Sequence, residues 1–174
     1  MNLKPFLLFL TTTTFKKNVV QNSLPPLVFN YESKLKNGLG LDINCRLGES
    51  TKELQKKFPD LVFLGTEKNQ QFVDIARKRH ANLNFLEIDI EKKSEPLVDQ
   101  FQIVQVSDYE NFWEMVKKSY YLLDDDGLLI VKYKNKDLDQ IHKILRKNKK
   151  KRIGNDLYEQ VMLNEEENKI FILK

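Results

Sequence analysis

Three carboxylic acids close consecutive short apolar runs in the first half of the chain: Asp42, Glu67 and Asp89. Ionised carboxylates accept hydrogen bonds, and the hydroxyl and amino groups of a ligand need such acceptors once they are buried. The stretch that follows Asp42 ends in Gly48, and a glycine turn ahead of a helix brings main-chain N–H groups close to a ligand. These residue types in this order predict a binding site for a ligand that carries hydroxyl and amino groups.

The elements that must position these acids alternate between strand and helix. Apolar runs predict five strands, at residues 39–43, 62–64, 84–88, 101–106 and 128–131. Helical spacing predicts three helices between them, one capped by Ser50 and ended by residues 58–60, one near 69–80 and one over 109–123. Strands joined by helical crossovers predict an α/β fold with a parallel sheet and helices on both faces. The ligand crevice of such a sheet lies beyond the carboxyl ends of its strands, where the three acids stand.

The helical spacing also predicts which side chains face the sheet. The predicted inward faces are Phe72, Ile75, Ala76 and Arg79 in the second helix, and Phe112, Val116, Tyr120 and Leu123 in the third. Residues 124–127 predict a turn before the fifth strand. Further along, a short helix is predicted over 137–147, and strands at 158–163 and 169–173 predict a closing antiparallel hairpin.

The segment from Gly40 to Thr51, Gly-Leu-Asp-Ile-Asn-Cys-Arg-Leu-Gly-Glu-Ser-Thr, resembles the first motif of class I S-adenosylmethionine-dependent methyltransferases. The pattern of that motif is apolar-Leu-Asp-apolar-Gly-Cys-Gly-x-Gly-x-Ser-Thr, and the segment is most similar to the trans-aconitate and quinone-biosynthesis branch. Residues 58–60, 64–67, 84–90 and 122–131 are similar to the family in the same register. The resemblance therefore covers most of residues 40–133.

The resemblance implies a fold, a cofactor and a function. The fold is α/β, with a Rossmann-like, doubly wound, mostly parallel seven-stranded sheet that ends in an antiparallel hairpin. The cofactor is S-adenosylmethionine, and the function is methyl transfer. By resemblance, Glu67 binds the ribose hydroxyls, Asp89 the adenine amino group and Asp42 the methionine end, while Asn44 and Gly48 belong to the cofactor-binding loop.

Two loop positions depart from the family, because Asn44 and Arg46 stand where it has glycine. Asparagine tolerates positive φ well, whereas a left-handed backbone at Arg46 costs roughly 1–2 kcal/mol. If that strain opposed binding, affinity for the cofactor would fall roughly five- to thirtyfold. The sequence leaves open whether the Arg46 side chain fills the crevice, repels the positive sulfonium or turns outward to pair with an acid such as Glu49.

These departures motivate a second hypothesis, a catalytically inactive methyltransferase-like scaffold that has lost cofactor binding. A nicotinamide-dependent dehydrogenase is a third, and it ranks last because Gly48 alone survives of the Gly-x-Gly-x-x-Gly pattern. The sequence identifies no catalytic base, and methyl transfer to a good nucleophile depends mainly on positioning. Ser107, Asp108 and Tyr109 face the expected substrate side, with loop structure as the favoured role. The methyl acceptor, small molecule or macromolecule, is left open.

Charge and cysteine content exclude several classes of function. The 174-residue chain has 29 basic and 25 acidic residues, but residues 40–174 hold 24 of each, so the net charge of +4 belongs to the first 39 residues. The single cysteine, Cys45, excludes an internal disulfide, and two histidines predict no zinc site. The basic cluster from Arg146 to Arg152 is predicted to be a solvated helix end, with RNA or an acidic partner as the alternative.

Residues 1–38 are predicted to be an N-terminal extension, and residues 39–174 the methyltransferase-like domain. The apolar run from Phe6 to Leu10 is far shorter than the roughly twenty residues of a membrane-spanning helix, so no span is predicted. The acid-free start resembles an organelle transit peptide without its arginines, and a partly ordered lead-in is favoured over it. The expected location is the cytoplasm, with an organelle as the alternative.

Overall fold

The computed structural model describes residues 37–92, 101–107, 109–134 and 137, together with strand segments at 152–153, 156–157, 160–164 and 169–173. Most of the predicted N-terminal extension, Asp108, the predicted helix beyond Asp137 and the basic cluster up to residue 151 lie outside the described residues. Within the described part of the chain, no helix is long and apolar enough to cross a membrane.

The described elements are nine strands and three helices. The strands are β1 Gly38–Ile43, β2 Leu61–Glu67, β3 Asn84–Glu87, β4 Phe101–Val106, β5 Leu123–Lys132, β6 Arg152–Ile153, β7 Asp156–Leu157, β8 Gln160–Asn164 and β9 Lys169–Leu173. The helices are α1 Glu49–Lys57, α2 Gln70–Arg79 and α3 Phe112–Tyr121.

The main sheet has the strand order β3-β2-β1-β4-β5-β9-β8. Strands β1 to β5 run parallel to one another, which confirms the predicted α/β fold with a parallel sheet. Strand β9 pairs antiparallel with β5 and with β8. The chain leaves β1 toward β2 and β3 and then returns to β4 on the other side of β1. The strand order thus reverses between β1 and β4, and ligands of open α/β sheets bind beside such a reversal.

Helices pack on both faces of the sheet because alternate strand residues are buried on each side. On one face, α3 buries Phe112, Val116 and Tyr120 in a cluster that includes Leu41 and Val104. On the other face, Leu54 of α1 and the C-cap residue Phe58 are buried in a second cluster with sheet residues, which are Leu61, Phe63, Ile103, Leu128 and Ile130. The inward face predicted for the third helix is confirmed, with Leu123 buried at the start of β5.

The inward face predicted for the second helix is wrong in phase. Helix α2 buries Val73 and Ala76, whereas Ile75 is 38% exposed and Arg79 is exposed. Only Ala76 of the predicted stripe is buried, and Val73, Ala76 and the C-cap His80 form the true inward face. The helix is rotated from the predicted stripe because Val73, three residues before Ala76, packs with Phe85 in the third apolar cluster.

Two local predictions also fail at the ends of elements. The N-cap of α1 is Gly48, with φ 86°, and the predicted cap Ser50 lies in the first turn of the helix. Residues 124–127 do not form a separate turn before β5 but an irregularity within it, because the register with β4 shifts between Phe101 and Ile103. Asp126 takes a positive φ of 64° there, which accommodates the extra residues.

Candidate functional site

The loop between β1 and α1 has a left-handed backbone at alternate residues. The φ angles are 58° at Asn44, 53° at Arg46 and 86° at Gly48. These are the three positions at which the resembling family has glycine, so the loop keeps the glycine conformation with two other residues in it. Asparagine adopts this region at modest cost, while the arginine backbone is strained by about 1–2 kcal/mol. Such strain persists only where the surroundings fix the conformation.

Main-chain hydrogen bonds fix the strained loop against the neighbouring strand β2. The Cys45 N–H donates to the Thr66 carbonyl oxygen at 3.0 Å, and the Arg46 N–H donates to Oε2 of Glu67, also at 3.0 Å. The Gly48 N–H closes the turn onto the Cys45 carbonyl oxygen at 3.0 Å. The left-handed backbone at Arg46 is therefore held by contacts that the chain itself makes, and the Arg46 residue is exposed.

Glu67 lies at the end of β2 and is only 5% exposed. Its Oε2 accepts the Arg46 N–H, and its Oε1 accepts the N–H of Asn69, the N-cap of α2, at 3.1 Å. The carboxylate thus joins the loop before α1 to the turn before α2. Because a carboxylate offers about four acceptor positions, two of them remain for other donors.

Asp42 is fully buried and bonded on both oxygens. Its Oδ2 accepts from the hydroxyls of Ser50 at 2.6 Å and Thr51 at 2.7 Å, and its Oδ1 accepts from Nε2 of Gln105 at 3.2 Å. Burial raises the pKa of this carboxyl, and the three hydrogen bonds oppose that effect. Asp42 therefore ties β1 to the first turn of α1 and to β4, and both of its oxygens face the protein's own donors.

Asp89 stands at the rim, beyond the end of β3. The Ile88 N–H donates to the Glu67 carbonyl oxygen at 3.0 Å, so the residue before Asp89 is tied to the end of β2. The Asp89 side chain is 24% exposed, and Lys92 contacts it twice, through its N–H at 3.3 Å and through Nζ at 3.3 Å. Of the three acids, Asp89 is the most exposed.

Gly48 has no room for a side chain. An added Cβ would lie 2.7 Å from the Phe85 ring and 2.9 Å from Cδ2 of His80. Glycine is therefore required for two reasons: its φ is positive, and the rings of Phe85 and His80 leave no space for a Cβ. These two rings pack against the loop at the N-cap of α1.

Two side chains near the end of β4 contact other groups of the protein. Ser107 donates to the Asn44 carbonyl oxygen at 3.3 Å, which adds a further support to the loop. Tyr109 is fully buried and donates its hydroxyl to Oδ2 of Asp137 at 2.6 Å. Burial, together with the hydrogen bond to Asp137, raises the pKa of Tyr109.

Cys45 is buried, and burial together with the nearby Asp42 charge raises the pKa of its thiol to about 12. A thiol with that pKa stays protonated at neutral pH, so it is a poor nucleophile and a poor metal ligand. Among the residues that the structure describes, no group of three His, Cys, Asp or Glu side chains is placed to hold a metal ion.

Sequence reasoning did not predict two contacts of the site, that of Gln105 with Asp42 and that of His80 with Gly48. Gln105 lies 63 residues from Asp42, and no local pattern signals that contact. His80 had a weak signal, because it follows Ala76 by four residues and Val73 by seven, the spacing of one helical face. The sequence prediction placed Arg79 on that face instead.

Comparison with known proteins identifies the fold. No family model matches the sequence, and no curated protein matches it. A protein of Methanococcus maripaludis, provisionally assigned as an S-adenosylmethionine-dependent methyltransferase, is similar in structure, with a TM-score of 0.60 and 14% identity. That match covers 84% of this chain and 82% of the other.

The plantazolicin methyltransferase BpumL is also similar. Its complex with S-adenosylhomocysteine and a pentazolic substrate analogue matches with a TM-score of 0.53 and 20% identity over 71% of this chain, and its complex with a triazolic analogue matches with 0.50 and 19% over 59%. The matches span 49% and 42% of those chains, so this chain covers less than half of their length. At these identities the likeness establishes the fold, which is the class I methyltransferase fold.

Proposed function

We propose that this domain binds S-adenosylmethionine at the loop between β1 and α1 and transfers its methyl group to an acceptor. The shared fold supports the proposal, since BpumL was crystallised with S-adenosylhomocysteine. The observation that carries it is the position of Glu67, whose carboxylate closes β2 and accepts the Arg46 N–H of the loop. The Glu67 carboxylate and the loop after β1 thus meet beside β1, one of the two strands between which the strand order reverses.

The geometry of Glu67 fits the ribose of an adenosyl group. Its two oxygens accept two main-chain N–H groups, which leaves acceptor capacity for two vicinal hydroxyls. Asp89, more exposed and held beside the end of β2, has the position for the adenine amino group. We also propose that Asn44 and Gly48, in the loop between β1 and α1, bind the same ligand.

Asp42 fits a different role from the one that the resemblance implied. Because its oxygens are bonded to Ser50, Thr51 and Gln105, we assign it the positioning of the first turn of α1 and not a direct contact with the methionine end. A buried carboxylate with three donors fixes its neighbours strongly, since hydrogen bonds to charged groups are the stronger kind.

When bound, S-adenosylmethionine supplies an electrophilic methyl group. The chain's own task is then to orient the cofactor and to bring an acceptor nucleophile in line with the methyl carbon, which contributes catalysis through positioning. Glu67 and Asp89 would orient the adenosine of the cofactor. The loop between β1 and α1 would orient the rest of the cofactor. We assign no general base, since a neutral amine or a carboxylate attacks with a lone pair that it already has.

The alternative is a scaffold that has lost cofactor binding, and Arg46 is its motivation. Arg46 is exposed, and its N–H still reaches Glu67, so the substitution has left the loop in its left-handed conformation. This favours retained binding over a lost site.

Isothermal titration calorimetry with S-adenosylhomocysteine and S-adenosylmethionine tests the proposal. We expect both to bind, and Glu67→Gln to weaken binding about ten- to hundredfold, because a charged acceptor for buried hydroxyls is lost. Glu87→Gln is the matched control, since this exposed acid lies opposite Glu67 in the register of β2 and β3. No heat with either ligand at millimolar concentration would overturn the proposal, and heat with NAD instead would favour a dehydrogenase.

Finer assignments follow from the same resemblance. We propose membership of the trans-aconitate and quinone-biosynthesis branch, with a seven-stranded architecture completed by β8 and β9. We further propose a cytoplasmic location, with an organelle as the alternative, and an RNA or acidic partner at Arg146 to Arg152 as the alternative to a solvated helix end. Imaging the tagged full chain tests the location, and binding of a labelled RNA with and without charge reversal of the cluster tests the partner.

A further inference from the structure

The turn that carries Asp89 lies between the sheet and α3. Strand β3 ends two residues before Asp89, and residues 88–92 continue beyond the strand. The Ile88 N–H is bonded to the Glu67 carbonyl oxygen at 3.0 Å, which fixes the chain just before Asp89 to the end of β2. The Ile90 side chain is 4% exposed and packs in the cluster that α3 shares with the sheet. The position of Asp89 therefore depends on α3 as well as on β2.

Lys118 of α3 holds this turn by its main chain. Its Nζ donates to the carbonyl oxygens of Ile90, at 3.5 Å, and of Glu91, the two residues that follow Asp89. The Lys118 side chain is 27% exposed, and its Nζ is also 3.6 Å from Oε1 of Glu114, one turn earlier in α3. An ammonium group makes charge-assisted hydrogen bonds, which are stronger than bonds between neutral groups. Lys118 therefore fixes the chain directly after Asp89.

The side chain of Glu91 joins the same turn to two further loops. Its Oε1 accepts the N–H of Glu110, from the loop before α3, at 2.8 Å. Its Oε2 lies 4.0 Å from Nζ of Lys68, which follows β2 and is 3.7 Å from Oε1 of Glu110. Lys68 and Glu110 are both well exposed, and ion pairs between exposed groups contribute little. The bonds from Lys118 and from the Glu110 N–H are therefore the stronger restraints on the turn.

Helix α3 is a firm support for the contact with Lys118. Five of its ten residues are buried, namely Phe112, Met115, Val116, Ser119 and Tyr120. Its N-cap side chain, that of Asn111, accepts the N–H of Glu114 at 3.2 Å. A group held from a packed helix is placed more accurately than one held from a loop. Lys118 thus ties the turn of Asp89 to a packed helix.

We propose that Lys118 is a positioning residue that fixes Asp89 for the adenine amino group and so sets the preference of the site for adenine over a base without that group. The inference rests on the proposed function, because Asp89 is the acceptor proposed for adenine. It deepens that function by assigning base specificity to a lysine outside the loop motif and the three acids. A carboxylate distinguishes a donor from an acceptor on the base through a short, directed hydrogen bond, so a displacement of Asp89 weakens the distinction.

Calorimetry with two ligands on the full chain tests the base preference. The ligands are S-adenosylhomocysteine and S-inosylhomocysteine, in which a carbonyl oxygen replaces the adenine amino group. We expect the wild type to prefer the first by about tenfold, the lower end for a hydrogen bond to a charged group, because the Asp89 side chain is partly exposed. Lys118→Met keeps an unbranched side chain without the ammonium group, and it should reduce the preference to below about threefold.

Two further variants separate positioning from a general loss of stability. Lys118→Arg keeps a cation with donors for both carbonyl oxygens and should retain most of the preference. Lys117→Met, the matched control, removes the exposed neighbouring lysine of α3 and should retain the preference fully. A loss of stability alone would weaken the binding of both ligands equally and leave the ratio of their affinities unchanged. An unchanged ratio in Lys118→Met, or equal binding of both ligands by the wild type, would overturn the proposal.

Hydrogen exchange measured by NMR without ligand separates this proposal from the function on which it rests. The N–H groups of Ile88 and Lys92 are hydrogen-bonded at the two ends of the turn, so their exchange reports its opening. We expect both to exchange about tenfold faster in Lys118→Met than in the wild type or in Lys117→Met. Faster exchange in Lys118→Met with no binding of either ligand to the wild type would overturn the proposed function alone. Binding of S-adenosylhomocysteine by the wild type with unchanged exchange in Lys118→Met would overturn the positioning role alone.

Discussion

Replacing Arg46 with glycine should stabilise the fold, which is unusual for a substitution to glycine. Arg46 has φ 53° and is exposed, so its side chain fills no core position. The substitution removes a strain of about 1–2 kcal/mol and adds about 0.5–1 kcal/mol of backbone entropy lost on folding. The expected net gain is about 0.5–1 kcal/mol, which raises the melting temperature by about 1–4 °C for a chain of this length.

The matched control for this experiment is Arg46→Ala. Alanine removes the same side chain and keeps the strained backbone, so it should give no gain, and the difference between the two variants isolates the backbone contribution. Thermal and urea unfolding of the three proteins in parallel measure it. A glycine variant that melts at or below the alanine variant would refute the strain argument, and with it the assignment of the loop as a left-handed loop.

The same reasoning changes the expectation for cofactor affinity. The hydrogen bonds that hold φ at Arg46 come from Cys45 and Arg46 to Thr66 and Glu67, so folding contacts balance the strain. The strain is then a cost to stability, and the five- to thirtyfold loss of affinity expected from the sequence does not follow from it. Arg46→Gly should change the affinity for S-adenosylhomocysteine by less than about fivefold.

Three further experiments test the surroundings of the site. Gly48→Ala should cost about 2–5 kcal/mol from its φ and its overlap with Phe85, and Gly48→Ala combined with Phe85→Leu should recover part of the loss in urea unfolding. Burial raises the pKa of Asp42, so the folded state binds the proton of this carboxyl more tightly than the unfolded state does. The stability that this proton binding contributes is therefore lost as the pH rises. The free energy of unfolding of the wild type relative to Asp42→Asn should fall from about pH 3.5 to 7, and a rise would contradict the raised pKa. Tyr109→Phe should cost about 1.5–3 kcal/mol, because the buried Asp137 carboxylate loses the hydrogen bond that the Tyr109 hydroxyl donates. A measured loss below about 0.5 kcal/mol, roughly that of an exposed contact, would contradict this expectation.

Local patterns in the sequence predicted the elements well where the residues themselves set the boundaries. Strand β4 was predicted over its full length, and the predicted limits of the second helix coincide with its caps Asn69 and His80. Asn69 is a good N-cap because its side chain accepts the N–H of Gln71, an interaction that requires only local sequence. The carboxyl ends of the strands follow from these elements, so the edge that carries the three acids was also predictable.

Contacts between distant residues were not predictable in the same way. Whether Asp42 faces a ligand or the protein depends on Gln105, 63 residues away, and on hydroxyls that point back from α1. The phase of α2 depends on where Phe85 lies, because Val73 and Ala76 pack against it. Helical spacing alone allowed another stripe of nearly equal apolarity, and tertiary packing chose between them.

The burial of the three acids separates their roles more sharply than their spacing does. Asp42 is fully buried and bonded to three donors of the chain, Glu67 is almost buried and bonded to two, and the Asp89 side chain is about one quarter exposed. A carboxylate that already accepts three hydrogen bonds has little left to offer a ligand, whereas one that accepts two can serve the loop and the ligand together. Glu67→Gln should therefore lower both the stability of the loop and the affinity for an adenosine-containing ligand. Asp89→Asn should lower the affinity and leave the stability of the loop unchanged. A fold with no ligand site would give no reason for substitutions at these two neighbouring strand ends to differ in their effect on ligand affinity.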